Sequence, residues 1–216
     1  QGNTEVENPT NVGTYDVYVS SNDGTTYCGA NNLNVGSFEI KCKGGTASSL
    51  YTLTTIEFEY NGAPRHPGID VATGAGTVAY IEYKQGNTVV ASPINVGSYD
   101  VYITSNVGTG YCAITTLTKI GTYEIKCKTA TASQYTISQS SFTYDGSAKK
   151  PTVSKASGAT AAGEVTSTVY KQGDTTVDNP INAGTYDIYI TTEAGTGYCA
   201  LTNFKLGSFT INGKDP

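Results

Sequence analysis

Apolar and polar residues alternate with a period of two along much of the chain. In Gly97-Ser-Tyr-Asp-Val-Tyr-Ile-Thr104 the side chains of Tyr99, Val101 and Ile103 fall on one face, and Asp100 and Tyr102 on the other. In Gly36-Ser-Phe-Glu-Ile-Lys-Cys42, Phe38, Ile40 and Cys42 are expected to face inward, with Glu39 and Lys41 outward. Asn61-Gly62 and Asp145-Gly146 mark tight turns between such runs. The density of alternating segments predicts about seven short strands per structural unit, the content of an antiparallel Ig-like β-sandwich.

The pattern repeats. Gln1 to Val19, Gln85 to Ile103 and Gln172 to Ile190 share one motif, whose glycine falls at Gly13, Gly97 and Gly184, 84 and then 87 residues apart. Each copy runs on into a Tyr-Cys-Ala/Gly block and then a Gly-Ser/Thr-Phe/Tyr-x-Ile block. A second motif precedes the shared one only twice, at Tyr51 to Gly62 and at Tyr135 to Gly146. The chain therefore divides into the C-terminal half of a repeat, residues 1–43, and two complete β-modules, 44–128 and 129–216. The expected architecture is all-β, an elongated tandem array of small modules.

Composition supports strands. Only 14% of residues are charged, against about 25% in an ordinary soluble domain, and the chain holds 25 Gly and 17 Tyr but no Trp or Met. Low charge with Thr, Tyr, Val and Ile suits pleated, half-buried surfaces. The net charge is −5 and no basic cluster exceeds Lys149-Lys150, so no nucleic-acid partner is expected. No apolar run is long enough for a membrane span. No signal peptide is evident, and the sequence reads as a mature chain or as one piece of a longer polypeptide.

Small modules carry modest cores, and the five cysteines offer covalent help. With turns placed at Asn34-Val35-Gly36 and at Gly121, Cys28 and Cys42 are equidistant from the first turn, and Cys112 and Cys127 from the second. Two hairpin disulfides are expected, each worth roughly 3 kcal/mol. The position that would pair with Cys199 is Gly213. Cys199 is thus expected to be unpaired, either buried or available for an intermolecular bond. Disulfides imply an oxidising, extracellular compartment.

No catalytic site is expected. His66, the only histidine, lies in a loop and its counterpart region, Lys149-Lys150-Pro151, has none. Asp16, Asp100 and Asp187 repeat in phase, as residues of a solvated strand face do; a weak calcium site is the alternative reading. No metal site and no cofactor is predicted. Tyr18, Tyr102 and Tyr189 share that outward face and are read either as an interface or as cross-strand cover for the sheet. No Asn-x-Ser/Thr sequon is present.

Phe142-Thr-Tyr-Asp-Gly146, Pro180-Ile-Asn-Ala-Gly-Thr-Tyr186, Gly197-Tyr198 and Phe209-Thr-Ile211 resemble the MBG/YDG-type repeats of bacterial surface adhesins. Tyr60-Asn-Gly62, Pro93-Ile-Asn-Val-Gly-Ser-Tyr99 and Tyr123-Glu-Ile125 follow the same pattern. The resemblance implies small β-modules serving as stalks or adhesive segments on a cell surface, without enzymatic activity. The cysteine pairs depart from it.

The half repeat is the least ordinary feature. It reads as a window on a longer repetitive polypeptide, as a module completed by strands of another chain in head-to-tail self-association, or as an independent miniature sheet. The functional expectation is a structural or adhesive repeat region of a surface or filament protein. A carbohydrate-binding module using the outward tyrosines is the alternative, with a glycan or host-surface ligand.

Overall fold

The computed structural model describes residues 4–214, so the Gln1 end of the first motif lies outside the described residues. Sixteen strands account for nearly all regular structure among them. β1 (Gly13–Val19) and β2 (Leu33–Ile40) form a two-stranded antiparallel sheet. Then follow β3 (Tyr51–Leu53), β4 (Glu57–Glu59), β5 (Ile69–Val71), β6 (Val78–Gln85), β7 (Thr88–Val89), β8 (Gly97–Ser105) and β9 (Thr118–Lys126). The same seven recur as β10 (Tyr135–Ile137), β11 (Ser141–Thr143), β12 (Val153–Lys155), β13 (Val165–Gln172), β14 (Thr175–Thr176), β15 (Gly184–Thr192) and β16 (Phe204–Asn212). The all-β class and the tandem small modules are as the alternation predicts.

Each seven-strand set makes a two-stranded sheet, β3-β5 or β10-β12, and a five-stranded one, ordered β4-β9-β8-β6-β7 or β11-β16-β15-β13-β14. One pairing in each large sheet departs from the antiparallel expectation: β4 runs parallel to β9, and β11 to β16. The cause is a strand that changes sheets. β10 pairs with β12, and three residues later the chain re-enters on the edge of the larger sheet beside its last strand.

The chain divides into two compact units. The first comprises Gln1–Ile56, Pro67–Ala91 and Tyr99–Tyr123; the second comprises Glu57–His66, Ser92–Ser98 and Glu124–Pro216. In the second unit the small sheet covers the large one around Tyr135, Tyr170, Tyr186, Ile188, Ile190, Phe209 and Ile211. Tyrosine can line this core because its hydroxyls find backbone partners: Tyr186 donates to Asn182 O at 2.9 Å, Tyr170 to Pro151 O at 2.8 Å and Tyr135 to Gly163 O at 3.2 Å. Tyr186 stacks on Phe209 with centroids 5.3 Å apart. In the first unit Tyr99 stacks on Tyr123 and Tyr15 on Phe38, both at 5.5 Å, and Tyr15 donates to Asn11 O at 2.8 Å.

The Gly-Ser/Thr-aromatic glycines are not turns. β2 runs unbroken through Gly36 and β16 through Gly207. The ladder skips Val35 opposite Val17/Tyr18, and Leu206 opposite Ile188/Tyr189, so each site is a bulge. The glycine makes room for the covering sheet. A Cβ at Gly121 would stand 2.8 Å from Leu53 Cδ1, and one at Gly207 would stand 3.0 Å from Ile137 Cδ1. Over Gly36 such a Cβ would meet nothing within 4 Å.

That difference corrects one expectation. Phe38 does not face inward as a core residue: it is 44% exposed, whereas Tyr123 and Phe209, in phase with it, are 1% exposed. Val17, Val19 and Val35 are likewise exposed, while Val101, Ile103 and Ile120 are buried. Among the described residues β1 and β2 have no third strand and no covering sheet. We therefore expect Ile188→Ala to destabilise its module by about 3 kcal/mol, as removal of a buried aliphatic side chain does. Val17→Ala at the equivalent place should cost under ~0.5 kcal/mol. Paired denaturation curves followed by tyrosine absorbance measure both.

Candidate functional site

Successive repeats meet through the same short construction twice. Past the end of β2 the chain continues extended, and Lys43 forms a parallel bridge with Tyr111 in the β8–β9 loop of the next repeat. Lys43 N–H donates to Gly110 O at 2.8 Å, and Cys112 N–H donates to Lys43 O at 3.0 Å. Past the end of β9, Lys128 repeats this against Tyr198, with Lys128 N–H to Gly197 O at 3.0 Å and Cys199 N–H to Lys128 O at 2.9 Å. Just before the first motif's glycine, Val12 N–H reaches Thr109 O at 2.8 Å, and Val96 N–H reaches Thr196 O at 2.7 Å. The first junction lies wholly within the first compact unit and the second wholly within the second.

The residue before each bridging lysine and the residue after each bridging tyrosine are both cysteines. Cys42 is bonded to Cys112 with Cα atoms 4.8 Å apart, and Cys127 to Cys199 with Cα atoms 5.0 Å apart. Both spacings lie within the ordinary disulfide range. Lys43 Nζ sits 5.7 Å from the Tyr111 ring centroid, and the Tyr60 ring meets that of Tyr198 edge-on at 5.7 Å. Gly197 has to be glycine there, because a Cβ would collide with the Tyr60 ring.

The hairpin pairings Cys28–Cys42 and Cys112–Cys127 are therefore not formed. Cys199 is bonded, and the free cysteine is Cys28, which is exposed. The misplaced turn explains the error. With Gly36 in mid-strand, β1 and β2 are joined by the long connection that contains Cys28, at one end of the ladder. Gly13 pairs with Ile40 at the other end, so Cys42 is separated from Cys28 by the length of the ladder, roughly 20 Å at about 3.3 Å per residue. The signal that would have found the real bonds was present: Cys42 and Cys127 are in phase with each other, and Cys112 and Cys199 likewise.

The other candidates are scattered along the outward strand faces. Tyr102 lies under Lys84 Nζ at 4.7 Å and Tyr189 under Lys171 Nζ at 4.6 Å, both as cation–π contacts, whereas Tyr18 is 52% exposed. Asp100 accepts from Lys119 Nζ and from Thr122 Oγ1, both at 2.7 Å, and these bonds hold its carboxyl below the usual range. Asp187 pairs with Lys205 at 2.6 Å. At Asp16 the position in phase with those lysines is Asn34. His66 is exposed in its loop. Among the described residues no three metal-ligating side chains come together.

Residues 50–118 match the family model of the MBG domain. The resemblance carried by Tyr60-Asn-Gly62 and Pro93 to Tyr99 is met over that stretch, which spans most of the first seven-strand set. No curated protein and no solved structure matches the chain. The MBG match ends at 118, before Cys127, and contains Cys112. The staple therefore joins the MBG stretch to Cys42, which lies before it.

Disulfides that close loops of about this size contribute up to roughly 4 kcal/mol in the chain-entropy model. We expect the double substitution Cys127→Ser, Cys199→Ser to lower stability by that order, and Cys28→Ser to change it by less than ~0.5 kcal/mol. Denaturant midpoints under non-reducing conditions measure this. A hairpin bond at Cys28 would instead make Cys28→Ser cost roughly 3 kcal/mol, comparable to the double substitution.

Proposed function

We propose that the chain is a non-catalytic structural repeat region of an extracellular surface or filament protein. Its task in this reading is to hold small β-modules in series so that a continuous stalk or fibre resists pulling, proteolysis and unfolding. The observation that carries the proposal is the repeated junction. Each disulfide ties the strand end of one repeat to a loop of the next rather than closing a module on itself. Bonds spanning 70 and 72 residues shorten the unfolded chain most where repeats adjoin. Two such bonds fit an oxidising compartment, and the MBG match at 50–118 fits a repeated extracellular β-module.

The β1–β2 sheet extends the proposal. Its uncovered face carries Val17, Val19, Val35 and Phe38, and Gly36 keeps the space that Leu53 and Ile137 fill elsewhere. We assign this face to strand complementation by the N-terminal half of another repeat, of the type of residues 44–91. The burial of Val101, Ile103 and Tyr123 in the complete repeat supports this reading. The alternative, a carbohydrate platform on the outward tyrosines, has less to support it, because lysines lie over two of the three rings.

The test is to add a synthetic segment of residues 44–91 to the purified chain and follow backbone hydrogen exchange. Protection of Tyr15–Val19 and of Leu33–Ile40 should rise on addition, by roughly tenfold or more at saturation, and Phe38→Asp should abolish the gain. Unchanged exchange in β1 and β2 at saturating segment would refute complementation.

A further inference from the structure

The loop that holds Cys28 has the hydrogen bond found in the two loops that receive a strand end. Gly24 N–H donates to Tyr27 O at 2.8 Å, as Gly108 does to Tyr111 and Gly195 to Tyr198, both at 2.9 Å. In those two loops the backbone at residues 109, 110 and 112, or 196, 197 and 199, is bonded to the preceding repeat, and the cysteine is in a disulfide. The groups in phase are Thr25 O, Thr26 O, Cys28 N and the exposed Cys28 thiol. Tyr27 is 83% exposed, whereas Tyr111 and Tyr198 are half-buried beside their bridging lysines. The same repeat also presents the uncovered face around Gly36.

We propose that Cys28 and its loop are the receiving half of a third repeat junction. Its occupant is the strand end of a further repeat that carries cysteine in the place of Cys42 and Cys127. The inference rests on the stapled-array reading above. In the chain itself such a strand end runs directly into the next covering half, as Cys42 and Lys43 run into β3. One continuous segment would therefore supply both the sulfur for Cys28 and the strands for β1 and β2. A second copy of this chain does not supply that sulfur. The residue in phase with Cys42 and Cys127 at the end of β16 is Gly213, although Lys214 keeps the place of Lys43 and Lys128, and Ala183 that of Val12 and Val96.

This makes a direct test available. Gly213→Cys restores the missing sulfur at a place where a Cβ meets nothing within 4 Å. With glutathione disulfide as the oxidant, the Cys28 thiolate attacks one of its sulfurs and releases one glutathione. The introduced thiolate of a second molecule then attacks the Cys28 sulfur and releases the other. The two protein thiols are oxidised to one disulfide, and glutathione disulfide is reduced to two glutathiones, which take up the two protons. On non-reducing gels the variant should give a ladder of dimers, trimers and higher species. It should form roughly tenfold faster than any oligomer of Asp174→Cys, an exposed turn position without the junction contacts, the factor being that of modest docking. Adding Cys28→Ser should abolish the ladder. Equal rates for the two cysteine variants, or a ladder indifferent to Cys28→Ser, would overturn the inference. If the ladder fails while residues 44–91 still protect β1 and β2, this inference falls and the array reading stands.

Discussion

The junction between one repeat and the next is built around a lysine and a tyrosine laid parallel at the edge of a loop. The Lys43–Tyr111 and Lys128–Tyr198 bridges are isolated, with one hydrogen bond in each direction, too few to hold a junction in water. What makes them sufficient is that the same geometry carries a disulfide one residue away. The cysteines stand next to the bridging residues, and the bond between them keeps the bridge from fraying. Neither is economical alone. Together they let repeats with tyrosine-rich, modest cores be linked without a large apolar interface between them.

The same logic separates the complete repeats from the half repeat. Inside a complete repeat the C-terminal strands supply the floor of the core, and the N-terminal strands supply its cover and both edges. Tyr15 stacks on Phe38 and donates to Asn11 O just as Tyr186 stacks on Phe209 and donates to Asn182 O. The floor is thus locally self-consistent even where its cover is not present. Val17 and Phe38 then remain in contact with water for want of atoms above them, and not because their own strand is distorted. Gly36 has a φ of +141°, a conformation other residues resist, at a site whose closeness to a covering side chain matters only in the complete repeats.

Much of this was legible beforehand. Alternation in Tyr99, Val101 and Ile103 correctly placed one face in the core, because period two is a direct consequence of the pleat. The repeat phase correctly matched strand to strand, and the MBG-like motifs were met over residues 50–118. The disulfides differ from the spacing-based expectation for one reason. The glycine of the Gly-Ser/Thr-aromatic block reads as a turn in the sequence, whereas it lies within a strand and, in the complete repeats, admits Leu53 or Ile137 from the opposite sheet. A turn at that glycine would fold Cys28 onto Cys42 and leave Cys199 alone. Local spacing cannot tell a turn glycine from one that makes room within a strand. The distinction comes from the packing of a distant strand. The periodic placement of the cysteines held the answer, because equivalent residues in successive repeats pair with the same class of partner. The parallel edge strands β4 and β11 were equally out of reach, since a three-residue sheet-changing strand leaves no periodic trace.

The claim on which the account turns is the connectivity of the cysteines. Proteolysis of the unreduced chain at low pH, which prevents thiol exchange, followed by mass spectrometry of the linked peptides reads it directly. The account requires the Cys42 peptide to be joined to that of Cys112 and the Cys127 peptide to that of Cys199, with Cys28 alone open to alkylation. Linkage of Cys28 to Cys42, or of Cys112 to Cys127, would mean that the bonds close modules on themselves, and the stapled array would be contradicted.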